Sequence, residues 1–252
     1  MKLLLLLLFV SKSWSMTVVT DNDEIRRLNT KVNQELNTTF LSLDDKSKTR
    51  QDLIELIKMR KSGRLSLKFF SGVDSRGIMQ SSEDCDCSTI FISTDYIDTG
   101  VVTTLVHEFE HLKHELLLGK GFFKENPQID ELTNVFGEFY FGGNNDLKGA
   151  PSFSEALYLG SAFLFYTEFR ALSEQVDAIK VGVKDTIRPE RNVVDIIERV
   201  SNDYLIKHGI QVDSDYAIAL AKLSSSSLSP KEFFLEVYNN RELKSHFQNL
   251  QR

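Results

Sequence analysis

The chain has 252 residues, enough for one large domain or two small ones. Hydrophobic residues make up 41% and charged residues 26%, the balance of a folded globular protein, and 18 phenylalanines supply core material. The net charge of −6 argues against a nucleic-acid-binding surface, and no apolar run reaches the roughly 20 residues that a membrane-spanning helix needs.

The chain opens MKLLLLLLFVSKSWS. Lys2 supplies a positive start, Leu3 to Val10 is unbroken apolar sequence, and Ser13 and Ser15 are small residues three and one before Met16. This succession is the pattern of a secretory signal peptide over residues 1–15 cut after Ser15, and it predicts a secreted or periplasmic protein. The alternative is an N-terminal strand or helix of the core. Residues 16–252 are expected to form a single domain.

Asp21 to Leu41 carries Ile25, Leu28, Val32, Leu36 and Phe40 at helical spacing, and Asp45 to Lys61 repeats the pattern before Gly63. Residues 16–61 are therefore helical, either a removable prosegment or part of the domain. The segment RLSLKFF alternates as a strand does, GIMQS does so more weakly, and STIFIST (88–94) is rich in β-branched residues. Between the last two lie the only cysteines, Cys85 and Cys87. Two thiols cannot build a disulfide framework. They read as a surface turn, as a pair with each other, or as a bridge across a dimer.

A helix follows from about Asp98 to just before Gly119. After an irregular stretch rich in glycine and asparagine, Gln128 to Phe136 reads as one helix. Ser152 to Lys180 reads as a long one, opened by Pro151 and a serine with Glu155 three residues on, a capping-box spacing. Val193–Lys207, Asp215–Leu223, Pro230–Tyr238 and Arg241–Leu250 complete a helical final part over 181–252. The expected class is α+β and mainly helical. A small N-terminal sheet is expected to pack on the helix from Asp98 within 62–180, and a helical C-terminal half follows.

The helix from Asp98 contains His107-Glu108-Phe109-Glu110-His111. At 100° per residue, His111 lies about 40° from His107 and one turn on, with Glu108 near 100°. Val101, Val102, Leu105, Val106, Phe109, Leu112 and Leu116 fall on the opposite side, between about 120° and 260°. The helix should bury that stripe and offer the histidines to a polar space. Imidazoles at i and i+4 can share one zinc ion, and the glutamate after the first can take a proton from a water beside it. His114, at about 340°, is expected to be solvated or to support the site from behind.

A catalytic zinc takes three protein ligands and keeps an open position. Downstream candidates are His114, Glu138, Glu155, Glu168, Glu174, His208 and His246. Leu157, Ser161, Leu164, Phe165, Ala171, Leu172 and Gln175 fall within about 60° of Glu168 on its helix, so this carboxylate sits in an apolar face. Burial there requires a metal or a pairing cation such as an arginine. Glu174 falls on the polar side and should be solvated.

The H-E-x-x-H segment resembles the active-site helix of the zincin metallopeptidases. In metzincins the motif continues to a glycine and a third histidine. Here positions 114 and 117 are histidine and leucine, which leaves the gluzincin branch, where the third ligand is a later glutamate. Glu168-Phe169-Arg170-Ala171 resembles the glutamate-x-x-alanine pattern of that branch. The resemblance implies one Zn2+ per chain held by His107, His111 and Glu168, Glu108 as general base, and a peptide or protein substrate. It also implies an edge strand that pairs with the substrate, a place STIFIST matches by position. Tyr158, Tyr166, Tyr204 and His208 are candidates for stabilising an oxyanion. Two other readings stay open: a secreted helical binding or effector protein with a structural metal or none, and a zinc amidase acting on a non-protein amide.

Overall fold

The computed structural model describes residues 16–72, 75–82, 87–119, 121–186, 190 and 192–251. The proposed signal peptide (1–15) and Cys85 lie outside the described residues. Cys87 is disulfide-bonded, so it is not a free thiol. The fold is α+β and mainly helical, with one four-stranded sheet. No helix among the described residues is long and apolar enough to cross a membrane. The chain divides into two compact units, residues 16–112 with the described part of 171–191, and residues 113–170 with 192–251.

The first unit opens with β1 (Thr17–Val18), α1 (Asn22–Ser42) and α2 (Lys48–Lys61). Both helices start where the sequence offers a cap. Asp21 accepts from the Glu24 amide at 2.8 Å, and Ser47 accepts from the Arg50 amide at 3.1 Å. Then come β2 (Leu65–Ser71), β3 (Gly77–Ser81) and β4 (Ser88–Ser93). The sheet order is β1-β2-β4-β3, with β2 parallel to β4 and both outer strands antiparallel to their neighbours. The segment STIFIS is therefore an inner strand and not an edge, because the β3–β4 hairpin folds β3 to the outside. By register, Leu65, Phe69, Met79, Ile90 and Ile92 share one face, and all are buried. The other face carries Phe70, Phe91 and Ile78, with the Lys68 ammonium 5.7 Å from the Phe91 ring centre.

Helix α3 (Ile97–Leu118) follows a short 3-10 turn capped by Ser93, whose Oγ accepts from the Asp95 amide. Its conformation is interrupted at Gly100, where a Cβ would lie 2.4 Å from Arg76 Nη2 and 2.7 Å from Asp185 Cγ. Only a glycine lets those two side chains reach this point. The apolar stripe is buried from Val101 to Leu112, but Leu116 is 41% exposed.

The second unit contains α4 (Gly121–Glu125), which the sequence did not suggest, and α5 (Pro127–Tyr140), longer at both ends than expected. Helix α6 (Phe153–Lys180) follows. The unit boundary falls inside α3 and inside α6. A Cβ at Gly160 of α6 would sit 2.0 Å from Phe136 Cγ, so this glycine admits the phenylalanine ring. Val193–Lys207 is not one α-helix. It is α7 (Val193–Arg199), a π-helical stretch (Val200–Leu205) and a 3-10 turn (Ile206–His208) ended by Gly209 at φ 79°. Helices α8 (Ser214–Ser224), α9 (Pro230–Asn239) and α10 (Arg241–Leu250) close the unit, and α9 starts with a capping box between Ser229 and Glu232. Its core is aromatic. Phe163 stacks on Phe234 at 3.9 Å, and Tyr166 on Phe233 at 4.2 Å.

Candidate metal centre

His107 and His111 lie one turn apart on α3, both half-buried. Their Nε2 atoms are 3.2 Å apart, and the rings meet edge to face at 76°. Two nitrogens bound to one tetrahedral zinc at 2.0–2.1 Å would be separated by roughly 3.3 Å. The imidazoles are thus already spaced for a shared cation. Glu168 of α6, 8% exposed, completes the group. One donor atom from each of the three lies within 4.8 Å of the others, the one such cluster among the described residues. Two imidazole nitrogens and one carboxylate oxygen can hold a divalent metal ion, and this donor set suits zinc among others.

The remaining candidates for a third ligand are engaged elsewhere or face solvent. Glu155 pairs with Lys244 at 2.5 Å, and His246 meets the Asp213 carboxylate at 2.9 Å. Glu138 is exposed. Glu174 is not solvated as its side of the helix suggested; it is buried and pairs with Lys48. His114 is not solvated either. It is 2% exposed, with its ring 5.0 Å from that of Tyr166. The expected polar side of α3 is consequently an enclosed one. Thr103, Thr104, Glu108, Glu110 and His114 are all buried, and the two half-buried histidines stand out among them.

Glu108 lies beside the edge strand. A Cβ at Gly77, the first residue of β3, would be 2.9 Å from Glu108 Oε1 and 2.7 Å from Thr104 Cγ2. A glycine in a strand marks close approach, so Gly77 is the residue of the sequence that could have signalled this position. The residue before it, Arg76, is clamped. Its Nη2 donates to Asp185 at 2.8 Å, to the Gly100 carbonyl at 3.1 Å and to Thr103 Oγ1 at 3.2 Å. Thr103 donates to the same Asp185 oxygen at 2.5 Å, and Gln175 at 3.3 Å. Asp185 is wholly buried. The start of β3 and the start of α3 are tied together one helical turn before His107. Nothing in the sequence distinguished Arg76 or Asp185.

Near Glu168, burial first and the Glu168 carboxylate second raise the Tyr140 hydroxyl far above the ordinary tyrosine range. It stays protonated and donates to the Tyr204 carbonyl, inside the π-helical stretch, at 2.5 Å. His208 lies against the Tyr140 ring at 4.5 Å; partial burial and neighbouring Lys207 lower its pKa. Of the four oxyanion candidates, Tyr158 is buried with its hydroxyl on the Val237 carbonyl, and Tyr166 is buried between aromatic rings. Comparison with protein-family models, curated proteins and solved structures returned no match.

Proposed function

We propose that the chain is a secreted or periplasmic zinc-dependent metallopeptidase of gluzincin-like type. The observation that carries the reading is the joining of the His107 and His111 nitrogens, 3.2 Å apart, with the Glu168 carboxylate in one group. Three donors leave a fourth position for water and substrate, as catalytic zinc sites do and closed structural sites do not. Zinc held there would polarise the scissile carbonyl and acidify its attacking water. Glu108 would take the proton of that water and pass it to the leaving amine. Among the described residues β3, the strand whose first residue lies against Glu108, ends the sheet, and an extended peptide would pair along its outer side.

Metal analysis and peptide hydrolysis on the purified chain test this together. About one zinc per molecule is expected. Glu108→Gln should keep the metal and lose hydrolysis by roughly a hundredfold or more. Glu168→Gln should weaken metal binding itself. A chain that takes up no metal, or a Glu108 variant that loses zinc while the Glu168 variant keeps it, refutes the assignment. Metal binding with no hydrolysis of any peptide favours the structural-metal reading, and cleavage of non-protein amides alone favours the amidase. Secretion is tested by the N-terminus of the protein from its source, expected at Met16.

A further inference from the structure

A concavity lies far along the sequence from the histidines, where the C-terminal end of α2 meets α1 and the start of β2. It measures about 570 Å³, within the usual range for small-molecule pockets. Its apolar lining is Leu36, Ile57, Leu65 and Leu67, with Leu36 and Leu65 fully buried at the base. Arg60 and Lys61 stand on the wall, with the amides of Asn33 and Asn37 facing them from α1. No acidic side chain lines it among the described residues.

Arg60 is the unusual member. The protein is acidic, and Arg26, Arg27, Arg50, Arg76 and Arg199 each pair with a carboxylate. Arg60 has none among the described residues. Its Nη1 donates to a neutral amide oxygen, Asn33 Oδ1, at 3.0 Å. Partial burial lowers its pKa, while its hydrogen bond to Asn33 stays exposed, so the guanidinium stands on the groove wall half-buried and without a counter-charge. An anion in the groove would supply one. A guanidinium fork favours a planar two-oxygen head group, and the leucine base favours an apolar body.

We propose that this groove is a binding site for a small carboxylate carrying an apolar body, with the carboxylate on Arg60 and the body on Leu36, Leu65 and Leu67. A free medium-chain carboxylate and the C-terminal residue of a peptide share that chemistry. The site is independent of the metal centre and stands or falls apart from the peptidase reading. Asn37-Thr38-Thr39 has the sequence of an N-glycosylation acceptor, so protein made in a bacterial host, which leaves Asn37 unmodified, is titrated by calorimetry and NMR with octanoate, N-acetyl-leucine, 1-octanol and inorganic phosphate. Saturable binding of octanoate or N-acetyl-leucine is expected, and the stronger of the two identifies the source. The side-chain amides of Asn33 and Asn37 should shift with it. Octanol and phosphate should each bind at least about tenfold more weakly, and Arg60→Gln should lose about tenfold or more, the scale of a charge-assisted hydrogen bond. Octanol binding as well as octanoate, phosphate binding as well as either, unmoved asparagine amides, or an unaffected Arg60→Gln variant of unchanged melting temperature would overturn the proposal. So would the absence of binding by both carboxylates.

Discussion

Replacing Gly77 with alanine tests whether the edge strand sets the place of Glu108, the proposed general base. The new Cβ would meet Thr104 Cγ2 at 2.7 Å and Glu108 Cγ and Oε1 at 2.9 Å. Carbon contacts settle near 3.5–4.0 Å, so each is short by roughly 1 Å. The strand cannot retreat freely, because Arg76 beside it is fixed by Asp185, Thr103 and the Gly100 carbonyl. The side chains of α3 must give instead. Overpacking of this kind costs about 1–3 kcal/mol, or roughly 3–10 °C in melting temperature for a chain of this size. A carboxylate displaced by an ångström costs on the order of a hundredfold in rate. The metal ligands point elsewhere, so zinc affinity should stay within about threefold. Calorimetry, metal titration and peptide hydrolysis read the three quantities separately. Adding Thr104→Ser removes the methyl at 2.7 Å and should restore much of the stability but little of the activity, since the Glu108 contact persists. If Gly77→Ala melts and hydrolyses as the parent does, the close approach has no functional weight. If it loses zinc instead, the roles of Glu108 and the ligands have been separated wrongly.

Asp185→Asn should be among the most destabilising single changes, by roughly 3–5 kcal/mol in urea denaturation, because it strips a buried guanidinium of its counter-charge. A loss below about 1 kcal/mol would mean that Thr103 and the Gly100 carbonyl suffice for Arg76. Asp213 gives a pH-dependent prediction. Desolvation, the largest single effect, raises its pKa, but the Tyr216 amide and His246 together outweigh it, and the net shift is downward. A carboxylate with a folded pKa below its unfolded one stabilises the fold above the unfolded value and loses that contribution as pH falls through the folded value. The stability gap between the parent and Asp213→Asn should therefore be full at neutral pH and close in acid. A gap that widens in acid would reverse the assigned sign.

The features legible in the sequence were the local ones. The apolar spacing from Ile25 to Phe40 and from Leu53 to Ile57 placed α1 and α2, and a lone carboxylate in the apolar face around Phe165 and Leu172 pointed to Glu168. A helical wheel ranks sides of one helix against each other, however, and does not know what covers them. Glu174 was assigned to solvent for that reason, and Lys48 pairs with it; for His114 solvent was one of two expectations, and Tyr166 packs against it. Strand order was out of reach because a hairpin can place either of its strands outside. The π-helical stretch at 200–205 carries the same apolar spacing as an α-helix. Asp185 sits in a polar stretch, VKDT, where a charge ordinarily meets water.

The Arg76–Asp185 pair spans 109 residues of chain. A ribosome adding 5–20 residues each second needs about 5–20 s to travel that distance. During that interval β3, β4 and all of the histidine helix are synthesised, and a guanidinium destined for the interior has no carboxylate to meet. The N-terminal half of the protein cannot close its own core until residues from beyond α6 have emerged. A nascent chain or a fragment halted at residue 180 should hold the strands and helices of this unit loosely, exposed to proteases and chaperones, however complete its share of the metal ligands.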